Sequence, residues 1–247
     1  MPFNEGGAQR QFKERDILAI VKLICCSDLH GDPVKYECIA GAAEREKSDL
    51  IVSAGDMVDD ASNRAGQTRY VDEFIRHSKT PWAVCSGNHD SDYAAEPPSA
   101  IVPDWLCGVG TVEDGQTKLV GELVVTTIPW PLAEDVSYRR LVEKIVNAGK
   151  SLAEKYQWLI AIHSPPSGGR VGDGYIDYRA ELTTEIIKDA KPDFLLFGHL
   201  HCDFGEWIER VHESICVNAG QSELGAAPQY VVLEIKNGGW KADHSHF

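Results

Sequence analysis

The chain has 247 residues, 43% apolar and 25% charged, which is the balance of a folded soluble domain and excludes a disordered, collagen-like or coiled-coil chain. That length holds one large α/β domain or two small ones, with a sizeable buried core. Lysine and arginine number 24 against 38 acidic residues, a formal charge of −14; such a field speaks against a broad nucleic-acid or anionic-membrane surface, yet admits a small phosphate substrate because bound cations reverse the local sign.

In chain order, residues 1–16 are polar and of mixed charge, and read as a flexible arm with no secretory signal. No apolar run approaches the roughly 18 residues of a membrane span. Ile20–Ser27 reads as a strand. Val34–Lys47 follows as a helix, with Pro33 where a first turn tolerates it. Leu50–Ala54 is a strand, Arg69–His77 a helix and Trp82–Ser86 a strand. Segment 91–116 looks irregular. Leu123–Ile128 (strand), Tyr138–Tyr156 (helix) and Trp158–Ile162 (strand) come next. The loop Ser164–Tyr178 precedes the helix Arg179–Lys188. Strands Phe194–Phe197, Ile215–Asn218 and Tyr230–Ile235 close the chain, and residues 237–247 read as a flexible polar tail. The alternation is that of an α/β fold, and the strand-only end adds a second, partly antiparallel sheet. No Pro/Ser-rich linker divides the chain, so residues 17–236 form one domain. The loops 91–116 and 164–178 exceed the usual connection length, as functional loops often do. The cysteines number seven, and Cys25, Cys26, Cys85 and Cys216 stand in apolar runs; they read as small buried hydrophobes in a reducing cytoplasm rather than a disulfide framework.

Five of these strands end in the same chemistry. They run into Asp28-Leu29-His30-Gly31, Gly55-Asp56, Gly87-Asn88-His89-Asp90, His163, and Gly198-His199-Leu200-His201. Ligands of open α/β sheets bind beyond the carboxyl ends of the strands, so these residues gather along one rim. Oxygen and imidazole donors without cysteine suit Mn, Fe, Co, Ni or Zn, and argue against a structural zinc knot or an iron–sulfur cluster. Each motif alone is the common turn after a strand. The ordered set, each member at a strand end, is specific.

This order of motifs, from Asp28 to His201, resembles the calcineurin-like metallophosphoesterase superfamily, and its small prokaryotic phosphodiesterase-like branch in particular. The resemblance implies a four-layer α/β-β/α sandwich of two mixed sheets with a dinuclear metal centre at the sheet edges. Asp28, His30 and His201 would bind one ion, manganese in the first instance, and Asn88, His163 and His199 the other. Asp56 would bridge them. A hydroxide between the metals would attack phosphorus in line with the leaving oxygen. His89 would bind phosphate and protonate the leaving group. Asp59 stands where some relatives place an acid that pairs with this histidine, and Asp90 where it could orient a ligand.

One departure bears on substrate. The phosphoprotein phosphatases of the superfamily carry an arginine after the Gly-Asp acid, where this chain has Asp60 in Gly55-Asp56-Met57-Val58-Asp59-Asp60. An acid there repels a phosphate dianion, which favours a singly charged diester, nucleotide-like in the first instance, over a monoester. Arg170 and Trp130 are candidate substrate contacts, the tryptophan by stacking a base or capping the site; the alternatives are an exposed loop arginine and a packed tryptophan. His77, His212, His244 and His246 fall outside the pattern and read as surface residues. The other readings are a phosphomonoesterase and a non-catalytic metal-binding scaffold for a protein partner; a nuclease would want a basic surface.

Overall fold

The apolar run Val21–Cys26 forms strand β1 with both faces covered, which is why it reads as continuous rather than alternating. Leu23 and Cys25 face a second sheet, whereas Ile24 and Cys26 face helices. The computed structural model describes residues 20–59, 63–91, 102–131, 136–168, 170–171, 174–201, 207–221, 227–236 and 239–246. The expected N-terminal arm lies outside them.

β1 leads into helix α1 (Pro33–Glu46), which Asp32 caps by accepting from the Val34 amide at 2.9 Å. Strand β2 (Leu50–Ser53), helix α2 (Arg64–His77) and strand β3 (Trp82–Val84) follow. A short 3-10 turn spans Asp104–Leu106. Then come β4 (Thr117–Val120), β5 (Leu123–Ile128), α3 (Val136–Ala153), β6 (Gln157–Ile162), α4 (Tyr178–Ala190), β7 (Phe194–Phe197), β8 (Ile208–Val211), β9 (Ser214–Asn218), β10 (Gln229–Lys236) and β11 (Gly239–His246).

The first sheet has the order β11-β10-β1-β2-β3, and the second β4-β5-β6-β7-β9-β8. Strands β1, β2 and β3 run parallel, as do β5, β6, β7 and β9. Antiparallel strands close three of the margins: β10 and β11 on one sheet, β4 and β8 on the other. Leu23, Val52 and Cys85 meet Val125, Leu159 and Leu196 between the sheets. Helices α1 and α2 cover the outer face of the first sheet through Tyr36, Ile39 and Val71, and α3 and α4 cover the second through Val142, Ile186 and Ile187. The result is the expected α/β-β/α sandwich of two mixed sheets. Among the described residues, no helix is long and apolar enough to cross a membrane.

Four elements depart from expectation. Helix α2 begins at Arg64 rather than Arg69, because Arg64-Ala65-Gly66-Gln67 carries a glycine and little apolar signal. The edge strands β4 and β8 have partly exposed, polar faces that hide a strand pattern. The expected flexible tail is corrected most: residues 239–246 form β11, paired with β10 along its whole length. Trp240 and Ala242 lie opposite Ile235 and Leu233 on the inward face, and Trp240 meets Phe194 of the other sheet. Lys241 and Asp243 point the other way and pair with each other. The period-2 alternation is present in Gly239–His246, but its polar half masks it. His244 accordingly stacks on Trp207, with ring centroids 5.3 Å apart.

Asp114, in the turn before β4, is 5% exposed. Burial pushes its carboxyl up to about 7, against the pull of the Ser86 hydroxyl and the Ser86 and Gly115 amides. From about pH 4 to about pH 7 the folded chain therefore keeps a proton that the unfolded chain has released, so this group erodes stability as pH rises through that window. Asp114→Asn should stabilise the protein more at about pH 8 than at about pH 5. Thermal melts at the two pH values check this, and an equal gain at both would refute it.

Candidate metal centre

The donors sit where strands stop. Asp28 and His30 follow β1, Asp56 follows β2, and Asn88 and His89 follow β3. From the second sheet, His163 follows β6, and His199 and His201 follow β7. Asp28, His30, Asp56 and His199 have φ between 50° and 68°. Aspartate and histidine tolerate this left-handed region better than most residues, yet four instances at one rim are held there by their surroundings. The first two loops are zipped together: the Asp28, His30 and Gly31 amides donate to the Gly55, Asp56 and Met57 carbonyls at 3.0, 3.0 and 2.8 Å.

Asp90 fastens the third loop to the second. Its Oδ1 accepts from the Met57 and Val58 amides, at 2.9 and 3.1 Å, and its Oδ2 from the Gly87 amide at 2.8 Å. Its carbonyl accepts from Arg64 and Trp105. Gly87 lies so close to the second loop that a Cβ there would overlap Asp56 Oδ1 and the Asp56 backbone nitrogen.

Around these loops the donor atoms converge. Within the first sheet's half, His201 Nε2 lies 3.6 Å from Asp28 Oδ1, and the His30 ring packs against those of His89 and His201 at 4.8 and 5.5 Å. Toward the second sheet, His163 Nε2 lies 3.2 Å from Asp56 Oδ2 and 3.1 Å from Asn88 Oδ1. His199 Nδ1 lies 2.9 Å from the same Asn88 oxygen. Three groups bring their donor atoms within 4.8 Å of one another: Asp28, His30 and His201; His30, Asp56 and His89; and Asp28, Asp56 and His163. Asp28 Oδ2 and both ring nitrogens of His30 are buried without a hydrogen-bond partner among the described residues. Buried polar atoms seldom go unsatisfied. Acceptors turned toward one another with no proton donor between them are what a cation requires, so the residues present fit a metal.

The electrostatics agree. Burial disfavours a charged His163, but the Asp56 and Asp28 carboxylates outweigh it and hold its pKa at about 9. Burial likewise opposes ionisation of Asp56, and His163 overcomes it, leaving Asp56 at about 2. His199 is driven down to about 4 by burial and by His163, and burial lowers His30. The neutral imidazoles of His199 and His30 beside an ionised Asp56 are ready for a metal, whereas His163 must release its extra proton as an ion binds. Burial, with Asp56 nearby, raises Asp90 to about 7.

His89 lies at the open side. Its Nε2 is 3.8 Å from Asp56 Oδ2 and its Nδ1 is 3.4 Å from Asp59 Oδ1. Its backbone amide donates to Asp56 Oδ1 at 2.8 Å.

The two candidate substrate contacts come out differently from expectation. Trp130 is 2% exposed. It packs on His163 and His199 at 5.3 and 5.4 Å, and the Arg179 guanidinium lies 4.7 Å above its ring. It is a wall of the site and has no free face to stack a base. Arg170 is largely exposed and lies 3.5 Å from Glu209. Asp60 lies outside the described residues.

Sequence reasoning missed several neighbours of the site. Lys35, from the first turn of α1, donates to the Asp28 carbonyl at 3.2 Å, and burial lowers its pKa. Arg64 holds the His89 and Asp90 carbonyls. Tyr175 reaches His199 from the long loop ahead of α4, and Asp177 accepts from Tyr175. Only Asp177 left a signal, as an N-cap residue just before a helix.

The chain belongs to the calcineurin-like phosphoesterase family, whose model matches residues 21–203. A search of curated proteins gave no match. Among solved structures, TT1561 of Thermus thermophilus is 15% identical, with 91% of this chain and 99% of that chain covered and a TM-score of 0.62. GAP50, described as the anchor in the inner membrane complex of Plasmodium, is 16% identical over 92% of this chain and 84% of its own, with a TM-score of 0.60. An archaeal phosphodiesterase is 12% identical over 91% of this chain and 100% of its own, at 0.50. At these identities the likeness is one of fold. The family together with the Asp/His clusters suggests a binuclear divalent metal site and supports a phosphoric ester hydrolase.

Proposed function

We propose that the protein is a dinuclear metal-dependent phosphodiesterase acting on a small, nucleotide-like diester in the cytoplasm. The observation that carries this reading is the convergence of donors from both sheets on one rim, with Asp28, His30 and Asp56 each shared between two of the three donor groups and Asn88 joining His163 to His199. Asp28, His30 and His201 would hold one ion, Asn88, His163 and His199 the other, and Asp56 both. When bound, two divalent ions, manganese first among them, supply Lewis acidity that draws charge from the phosphoryl oxygens and activates water.

The remaining work falls to side chains. His163 presents Nε2 to the site because its Nδ1 lies 2.7 Å from the Ala54 carbonyl and donates to it. His89 turns Nε2 toward the donor cluster and Nδ1 toward Asp59. Nε2 is therefore the atom that meets a phosphoryl or leaving oxygen, and Asp59 holds the ring with a proton on Nδ1. His89 binds the phosphoryl group and passes a proton to the leaving oxygen. Asp59 is a positioning residue. The diester preference rests on the acidic chain and on Asp60.

His89→Ala should lower kcat about 10²- to 10⁴-fold with metal content unchanged. Asp59→Asn should cost about tenfold in kcat and shift the acid limb of the pH profile. Loss of metal from His89→Ala would instead make His89 a ligand. The test of the whole reading is hydrolysis of bis-p-nitrophenyl phosphate and p-nitrophenyl phosphate by chelated protein restored with Mn, Ni, Zn or Mg. Metal-dependent activity favouring the diester is expected. A monoester preference would move the assignment to a phosphomonoesterase. Inactivity with two ions bound would favour a scaffold, and failure to bind metal would overturn the reading.

A further inference from the structure

The loop ahead of α4 brings a hydroxyl to the far side of His199. Tyr175 Oη lies 3.2 Å from His199 Nε2 and 2.9 Å from Asp177 Oδ2. The other nitrogen of the same ring, Nδ1, faces Asn88 Oδ1 at 2.9 Å, on the donor side. An ionised carboxylate only accepts. Tyr175 therefore gives its proton to Asp177 and accepts from His199 Nε2–H, and a neutral ring so held has its lone pair on Nδ1.

Asp177 is itself fixed. Its Oδ1 accepts from the Arg179 and Ala180 amides, at 2.9 and 2.8 Å, as the N-cap of α4, and its Oδ2 lies 3.1 Å from Arg179 Nη1. The ring of Tyr175 meets that of His199 edge-on at 5.2 Å, and Trp130 covers another side. The imidazole is thus set in both tautomer and orientation by groups that do not themselves reach the donor cluster. We propose that Tyr175 and Asp177 are positioning residues that prepare His199 as a metal ligand, with the helix cap of α4 as their anchor. This rests on the reading of His199 as a ligand.

The discriminating variant is Asp177→Asn. Asparagine caps a helix as well as aspartate does, so the cap is kept, while loss of the Oδ2 contact with Arg179 shows separately as a lower melting midpoint of the chelated protein. In the relay, however, the new amide donates to Tyr175, which must then donate to His199 Nε2. The ring proton moves to Nδ1, where a cation should sit. Zinc affinity, measured by chelator competition, is expected to fall about 10- to 100-fold in Tyr175→Phe, with the melting midpoint of the chelated protein unchanged, and at least as far in Asp177→Asn. In the zinc-loaded, ¹⁵N-labelled protein the His199 Nε2 proton should give a downfield resonance protected from solvent, and Tyr175→Phe should lose that protection. Unchanged affinity and an unchanged resonance in both variants, with wild type binding two zinc ions, would overturn the proposal alone. Wild type that binds no zinc would bring down the metal-centre reading, and the proposal with it.

Discussion

Asp56→Asn is expected to give a folded protein that is nearly inactive. Asp56 Oδ1 holds the His89 amide and Oδ2 faces His163 at 3.2 Å. An asparagine keeps the first contact and turns an uncharged amide to the second. Two of the three donor groups contain Asp56, and on the proposed reading it serves both metal positions, so both would weaken together. Removing one partner of a buried ion pair usually costs about 3–5 kcal/mol. Here the other partner is a histidine held near 9 largely by that carboxylate, so it sheds its proton at neutral pH and no unpaired charge stays buried. The catalytic loss is larger. A metal site supplies several kcal/mol to the transition state, and at about 1.4 kcal/mol per factor of ten the drop should be on the order of a thousandfold or more. Hydrolysis of bis-p-nitrophenyl phosphate and metal content by elemental analysis, on protein with a native circular-dichroism spectrum, check this. Wild-type turnover in the variant would remove Asp56 from the centre.

Gly87→Ala should be among the most damaging single methyls at the rim. The new Cβ would overlap Asp56 Oδ1 and the Asp56 backbone nitrogen. Backbone cannot swing aside as a flexible side-chain tip does. The third loop must leave the second, pulling the Asp90 carboxylate from the Met57 and Val58 amides and the His89 amide from Asp56. Overpacking of this kind costs about 3 kcal/mol, which for a domain of this size is about 10 °C in melting midpoint. Metal affinity should fall with it. Gly239→Ala is the control, since no atom lies within 4 Å of a Cβ there. Equal melts for the two variants would show that the approach of the loops is not tight.

Much of this architecture was legible because strand ends carry their chemistry in sequence. Asp28, Asp56, Asn88, His163 and His199 each follow an apolar run by a residue or two, and the parallel strands of the two mixed sheets bring such ends to one rim. The pairing of sheets was not legible from periodicity, since strands covered on both faces look alike whichever sheet they join; resemblance supplied it. Trp130 stayed open between packing and stacking because a tryptophan between prolines gives no sign of burial. Tyr175 was missed for a different reason. Its partner stands 24 residues away, and nothing local marks a tyrosine in a polar loop. Strand β11 was missed because an edge strand shows polar residues to solvent.

The donors divide between the layers. Asp28, His30, Asp56, Asn88 and His89 hang from the first sheet, and His163, His199 and His201 from the second. The rim is a seam, and ions gripped there would rivet the two halves of the sandwich. Loading and cohesion of the halves are then one equilibrium seen from two ends. A methyl lost from the layer of Leu23, Val52 and Leu159, far from any donor, would loosen the grip on metal, and metal would in turn mend the loss.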